Sequence, residues 1–369
     1  MAKEIIPLAS VIIPMYNSAK FIPQTLESLL NQTLKNFEVV VVDDCSKDNS
    51  VEVVEKFKAK FDGRLKVIKL RRNTGTPGLP RNVGIKFARG KYILFLDSDD
   101  LYTKTALEEL TTLAEEYNAE LIHTCNWFML WGRKKSVGEV AFHDMNELMN
   151  RDNWEVNSEF KDSPLTAPTL QGEDIPSIIE MFTNWDTFWT SVLYMYRRDF
   201  IVRNQIFFPN MLKSEDAPFV LKCLLLAKRY LLVPNTTYIV RPRVDSVSRV
   251  NDRNVDMGKF LHKEVSSLRQ GFNELIKVMN KSSFLREHET YHHSVLQFFH
   301  RKLFSWLYYL KEAYSKKGSL YKLDEFVRKE FYDANAPFAA YLFNTMVVYL
   351  NHLEDLELEN SVLRKVQLM

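Results

Sequence analysis

The sequence predicts an α/β protein: a mostly parallel central sheet with flanking helices, followed by a C-terminal α-helical appendage. Three observations lead there. Four buried-strand runs alternate with three helix-period segments in the first hundred residues. Acidic clusters fall at the carboxyl ends of two of those strands. Beyond about residue 252 the strand patterns cease, and helical periodicity rich in Phe, Tyr, His and Lys continues to the end.

The strands read in order as "SVIIP" (10–14), "FEVVVVDD" (37–44), "LKVIKL" (65–70) and "KYILFLD" (91–97). The apolar stretches at their centres leave no face for water, as in a sheet covered on both sides. Between them, Ile22, Leu26, Leu29 and Leu30 share one helical face, as do Val53, Val54, Phe57 and Phe61. "GLPRNVGIKFA" supplies the third crossover. Such βαβ units are right-handed and place ligands outside the carboxyl ends of the strands. "TKTALEELTTLAEEY" (103–117) is an amphipathic helix in which Thr105 and Glu108 are spaced for a capping box. "AELIHTCNWFML" resumes strand character, and 132–180 reads as a polar insertion or loop region. "WTSVLYMYRRDFI" (189–201) is strand then helix, and "SEDAPFVLKCLLLA" (214–227) is a helix opening on two acids. "RYLLVPNTTYIVRPRVDSVSR" (229–249) reads as strand, turn, strand and basic loop.

The 369 residues are 46% hydrophobic and 26% charged, an ordinary globular balance with room for one large core or two smaller ones. The net charge of +2 does not by itself decide about nucleic acid, and no nucleic-acid partner is expected. Cys45, Cys125 and Cys223 lie far apart without metal-type spacing, as free thiols do in a reducing compartment. The N-terminus reads as a strand rather than a signal peptide, and no apolar run is long enough to span a bilayer. The expectation is a cytoplasmic protein.

Three of the four residues after "YILFL" are acids: Asp97, Asp99 and Asp100. Like charges this close raise one another's pKa unless a positive group holds them. A hard divalent cation, Mg²⁺ or Mn²⁺, answers that repulsion, because it takes oxygen ligands and keeps waters or substrate phosphates for the rest of its shell. A helix cap alone would occupy only one of the acids. In "VVVVDDCSKDNS" a carboxylate just past the strand end can accept a nucleobase imide N–H; Asp44 is the better candidate, with Asp43 supporting the turn and Asp48 near the helix start. Gly75 and Gly78 loosen the loop before the third helix, and Arg81 beside Asn82 is placed to stack on a base or bind phosphate.

These four segments, "SVIIPMYN", "VVVVDDCSKDNS", "NTGTPGLPRNVGI" and "YILFLDSDD", resemble the family 2 glycosyltransferases in order and spacing, over roughly residues 8–250. The resemblance implies a GT-A fold with a mixed, mostly parallel sheet, a nucleoside-diphosphate sugar donor (a UDP-sugar favoured), a divalent metal and inversion at the anomeric carbon. It divides the chain into a nucleotide-sugar half (1–105), an acceptor and catalytic half (106–251) and the helical region 252–369. Pro14, Tyr16, Asn17, Asp44 and Arg81 would line the nucleoside pocket. Asp97 and Ser98 would face ribose or sugar, with Asp99, then Asp97, as metal ligands. Asp100 would help hold the sugar, the acceptor or the turn.

The family's catalytic base sits in a Glu-Asp pair at a helix start, and this chain has two. Glu173–Asp174 follows the family's usual glycine; Glu215–Asp216 has Ser214 there, but its position after the 189–209 segment fits better. Asp216 is therefore taken as the base and Glu215 as its orienting partner, with Asp174 a helix-cap decoy. Arg241, Arg243, Ser246 and Ser248 would close over the diphosphate. Trp185, Phe188 and Trp189 are candidates for an acceptor platform, or else core. His123 reads as a hydrogen-bonded core residue, and no acid matches His293 and His300 as a metal site.

The expected acceptor is a glycan or lipid-linked glycan in surface polysaccharide synthesis. The stripe Phe298, Phe299, Leu303, Trp306, Leu307 and Leu310 reads as core or subunit contact, hence a homo-oligomer through the C-terminal helices. Its neighbours Lys302, Lys311, Lys316 and Lys317 also suit peripheral contact with an anionic membrane surface. Two other readings compete. A sugar nucleotidyltransferase wants a glycine-rich phosphate loop after the first strand, where "PMYNSAKF" has no glycine; a silent nucleotide-sugar-binding assembly subunit has no need of both acidic pairs.

Overall fold

The computed structural model describes residues 6–129, 169–171, 174–183, 189–211, 215–241 and 270–298. The first half runs β1 (Ala9–Met15), α1 (Ile22–Leu30), β2 (Phe37–Asp43), α2 (Ser50–Phe57), β3 (Leu65–Lys69), α3 (Gly78–Phe87) and β4 (Tyr92–Phe95). β5 (Leu101–Tyr102), α4 (Ala106–Glu116), β6 (Leu121–Met129), β7 (Thr169–Gln171), β8 (Tyr194–Arg197) and β9 (Tyr230–Val240) follow, with helices at Ile175–Thr183, Arg198–Arg203 and Asp216–Leu226 between the later strands.

One sheet takes all nine strands in the order β3-β2-β1-β4-β8-β6-β9-β5, with β7 also on β9. β1 to β4 are parallel to one another, and every residue of β1, β2 and β4 is buried. That burial is what their unbroken Val, Ile, Leu and Phe runs dictate. β8 is antiparallel to both β4 and β6, which makes the sheet mixed. β2 and β3 add on one side of β1 and β4 on the other, so the strand order reverses between β1 and β4 and a crevice opens over their carboxyl ends. α3 lies so close to β1 that a Cβ on Gly84 would stand 2.2 Å from Ile12 Cγ2; only glycine permits this approach.

Four expectations change. The "strand, turn, strand" at 229–240 is one strand, in which two β9 residues, Pro234 and Asn235, face a single β6 residue between the Thr124–Val233 and Asn126–Thr236 pairs. A bulge absorbs the proline, which cannot donate to the ladder. The insertion carries β7 and the helix Ile175–Thr183; its remainder lies outside the described residues. Thr105 caps nothing with its hydroxyl, which donates instead to the Glu109 carboxylate.

The fourth change concerns the C-terminal region, which does not start as a separate appendage. Leu275, Met279, Leu285, Val295 and Phe298 belong to the same buried cluster as the sheet. Phe298 packs 4.8 Å from the Phe182 ring and 6.3 Å, edge-on, from Trp189. The amphipathic stretch 270–298 therefore covers the helix Ile175–Thr183 and the segment entering β8. Residues 299–369, with the lysine-flanked stripe, lie outside the described residues. No helix among the described residues is long and apolar enough to cross a membrane.

Phe298 is 1% exposed, so Phe298→Ala should cost about 3–5 kcal/mol in urea unfolding of the full chain. A loss below about 1 kcal/mol would mean that these helices form a unit of their own. His123 gives a pH signature. Burial pushes its imidazole down to about 3, while Nδ1 meets the Tyr230 hydroxyl at 3.0 Å and the ring stacks on Tyr194. The folded form is neutral, whereas the unfolded form takes a proton below about pH 6.5. The stabilisation is complete above that pH and is lost as pH falls toward about 3. Between pH 7 and 5 the wild type should lose roughly 2 kcal/mol more than His123→Gln, and equal losses would contradict the buried neutral ring.

Candidate active site

The β1 and β2 carboxyl ends build one wall of the crevice. Asp44 emerges after β2, 4% exposed, and accepts from the Thr74 amide at 2.9 Å and the Thr74 hydroxyl at 2.9 Å. Burial raises its pKa and the Thr74 bonds draw it back. A carboxylate has about four lone-pair positions, so it can accept from a further donor. Asp43 turns the chain by accepting from the Ser46 amide at 3.3 Å, and Asp48 holds the amides of Ala19 and Ser50. Asn17, at φ +48°, accepts from the Lys47 amide and gives its own amide to Ser46, which ties the loops after β1 and β2 together. Pro14 pairs with Val42 inside the sheet, while Tyr16 is 41% exposed at the rim.

The opposite wall is the turn after β4. Asp97 has a side chain 37% exposed, and Asp99 is half-buried. Ser98 departs from its expected place at the donor. Its hydroxyl is buried 2.7 Å from the Ser18 hydroxyl, and its carbonyl accepts from Thr25, so it ties this turn to α1. Asp100 is also turned inward: Tyr238 donates its hydroxyl to Oδ2 at 2.8 Å, and the Arg241 amide donates to Oδ1 at 2.7 Å. Burial first, then Asp99 and Asp97, push its pKa well up.

Between the walls lies Arg81, 2% exposed. Its Nη2 donates to Asp97 Oδ1 at 2.7 Å, and its Nη1 donates to Asp216 Oδ1 at 3.1 Å with Glu215 Oε1 at 3.5 Å. The guanidinium lies 5.4 Å from the Phe208 ring centre and 5.9 Å from that of Phe95, inside a cluster with Phe219. Arg81 was expected to line the nucleoside pocket; here it binds carboxylates instead, because the helix Asp216–Leu226 starts directly against α3. A Cβ on Gly78 would stand 3.0 Å from Glu215 Cγ, and Asn82 exchanges two 2.8 Å hydrogen bonds with the Phe208 backbone. Burial raises the pKa of Asp216 and Arg81 pulls it back; Glu215 is pushed up to about 7 by burial and by Asp216.

The structure thus joins Arg81, Asp97, Glu215 and Asp216, although 135 positions separate Arg81 from Asp216. Asp174 is exposed and receives the Ser177 hydroxyl and amide at its own helix start. Trp189 is half-buried against Phe298, on the packing side of its two readings. Glu173, Trp185, Phe188, Arg243, Ser246 and Ser248 lie outside the described residues. Sequence reasoning missed Thr74, Ser18 and Tyr238. Thr74 sits in the quoted glycine loop and had a signal; Tyr238 had none, since nothing local announces a contact 138 positions away.

The donor set suits a hard divalent ion. Among the described residues no three His, Cys, Asp or Glu side chains form a ready-made cage. Mg²⁺ or Mn²⁺ needs only one or two protein carboxylates when a diphosphate supplies further oxygens.

Residues 10–136 match the family model described as glycosyl transferase family 2. The poly(ribitol-phosphate) β-N-acetylglucosaminyltransferase TarS of Staphylococcus aureus is 34% identical over 232 residues, covering 62% of this chain and 34% of that protein. The glycosyltransferase EpsJ of Bacillus subtilis is 32% identical over 246 residues, 66% of this chain and 64% of its own. This chain therefore spans about a third of TarS and under two thirds of EpsJ. The crystal structure of S. aureus TarS 1–349 in complex with UDP-GlcNAc superimposes with a TM-score of 0.61 at 26% identity, over 87% of this chain and 78% of that one. With these motifs, this sheet and these relatives, residues 10–136 carry a glycosyl transferase family 2 domain, and the described sheet has the GT-A fold of the TarS structure.

Proposed function

We propose that the protein is an inverting glycosyltransferase that moves a sugar from a nucleoside-diphosphate sugar, a UDP-sugar above others, to a hydroxyl of a glycan or lipid-linked acceptor in polysaccharide synthesis. The observation that carries this reading is the convergence of Asp97 and Asp216 on Arg81, at 2.7 and 3.1 Å. A donor-side acid and a candidate base from the other half of the chain meet in one crevice. The TarS complex with UDP-GlcNAc supports the uridine donor. The poly(ribitol-phosphate) named for TarS supports a polymeric, hydroxyl-rich acceptor.

In this reading Asp44 accepts the imide N–H of the base, and Tyr16 and Asn17 form the rim around the nucleoside. Asp99 and Asp97 would hold Mg²⁺ or Mn²⁺, which supplies Lewis-acid neutralisation of the diphosphate. Asp216 accepts the proton of the acceptor hydroxyl as its oxygen attacks the anomeric carbon. The bond from that carbon to the diphosphate breaks on the opposite side, the nucleoside diphosphate carries away the electron pair, and the configuration inverts. A raised pKa makes Asp216 a better proton acceptor than an exposed carboxylate. Arg81 keeps it ionised and aimed, and Glu215, beside it on the same guanidinium, is its orienting partner. Arg241 stands beside the turn as a candidate phosphate contact.

Asp216→Asn should keep UDP-sugar affinity within about threefold while transfer falls by roughly 10²–10⁴-fold. Calorimetry with the donor and a product assay measure the two together. Turnover within about tenfold of wild type would remove Asp216 as the base.

A further inference from the structure

Both oxygens of Asp100 are engaged by residues at the end of β9. Oδ2 accepts from the Tyr238 hydroxyl at 2.8 Å, and Oδ1 accepts from the Arg241 amide at 2.7 Å. Tyr238 closes the loop by accepting from the Asp97 amide at 3.3 Å. The same tyrosine is held by pairing with Tyr102 across β5 and β9 and by edge-on contact of their rings at 5.6 Å. Tyr102 in turn donates to the Phe95 carbonyl at 2.9 Å. The turn after β4 and the end of β9 are therefore tied together through the buried residues Asp100, Tyr102 and Tyr238.

Arg241 is the residue this unit positions. Its guanidinium lies 5.4 Å from the Phe21 ring centre. Phe21 donates its amide to the Ser18 carbonyl, and the Ser18 hydroxyl meets Ser98 between Asp97 and Asp99. Arg241 thus stands where the loop after β1 meets the acidic turn, next to the acids that would hold a divalent cation and, through it, a diphosphate. A backbone amide held by a carboxylate makes a strong, directional bond, so it fixes where the side chain begins.

We propose that Asp100 is a positioning residue, neither metal ligand nor acceptor contact, which clamps the end of β9 so that Arg241 is presented to the donor's diphosphate. This rests on the donor reading above, and it separates the roles of three adjacent acids: Asp97 and Asp99 toward the cation, Asp100 toward the phosphate-binding arginine.

The test uses the full chain and direct binding of UDP, read by calorimetry at saturating Mn²⁺, with the Mn²⁺ midpoint measured separately at saturating UDP. Asp100→Asn should weaken UDP about tenfold, equivalent to about 1.4 kcal/mol, and leave the Mn²⁺ midpoint within about twofold. Tyr238→Phe removes one of the two bonds and should give a smaller loss of the same kind, a second route if Asp100→Asn folds poorly. In an Arg241→Gln background, Asp100→Asn should cost less than about twofold, because the group it positions is gone. A Mn²⁺ midpoint shifted tenfold or more would make Asp100 a metal ligand. Losses that multiply with Arg241→Gln, or UDP affinity unchanged in Asp100→Asn and Tyr238→Phe, would also overturn the proposal. Wild-type protein that binds no UDP with Mn²⁺ would instead refute the donor reading, and the proposal with it.

Discussion

Arg81 is one cation set in an aromatic cluster, 2% exposed, with three carboxylates around it and no hydrogen-bond partner for its Nε among the described residues. In such a place a charge is tolerable only while its partners remain, and removing one partner of a buried pair typically costs about 3–5 kcal/mol. The folded state must therefore hold α3, the turn after β4 and the helix Asp216–Leu226 together. The surrounding packing is built for that junction. Gly84 lets α3 sit on β1, Gly78 makes room for Glu215, and Asn82 fastens the Phe208 backbone. Each contact is ordinary by itself; together they fix a donor-side acid and the candidate base on one guanidinium.

The sheet explains why these groups face a common space. Parallel strands deliver their carboxyl ends to the same edge, so the loops after β1, β2 and β4 meet there with α3's first turn. The antiparallel β8 then carries the chain back along β4, and after the helix Arg198–Arg203 the helix Asp216–Leu226 begins against α3. The helices of 270–298 cover the packing side of this second half. Residues on the far side of the composition change near 252 therefore share one buried cluster with the sheet.

The parallel half of the fold was legible because its strands are buried on both faces and leave an unmistakable apolar record. The acids at the strand ends were legible for the converse reason: carboxylates beside a buried run need an explanation. Three things were not legible. Pro234 looked like a turn because a β-bulge has no sequence mark of its own. Helices 270–298 looked like an appendage because amphipathic periodicity does not say what the apolar face covers. Arg81 looked like a ligand contact because a lone arginine beside acidic strand ends gives no sign of whether it faces the ligand or the acids. The choice between the two Glu-Asp pairs came from the resemblance; the structure places Asp216 on Arg81 and Asp174 on Ser177.

The most direct measurement of the central claim is a double-mutant cycle on unfolding free energy, with Asp97→Asn, Asp216→Asn and both together in the full chain. If the two acids share Arg81, losing the second must be felt differently once the first is gone, and the coupling should reach about 1 kcal/mol or more. Additive effects within about 0.5 kcal/mol would mean that the two halves of the crevice stand independently, and would contradict the account.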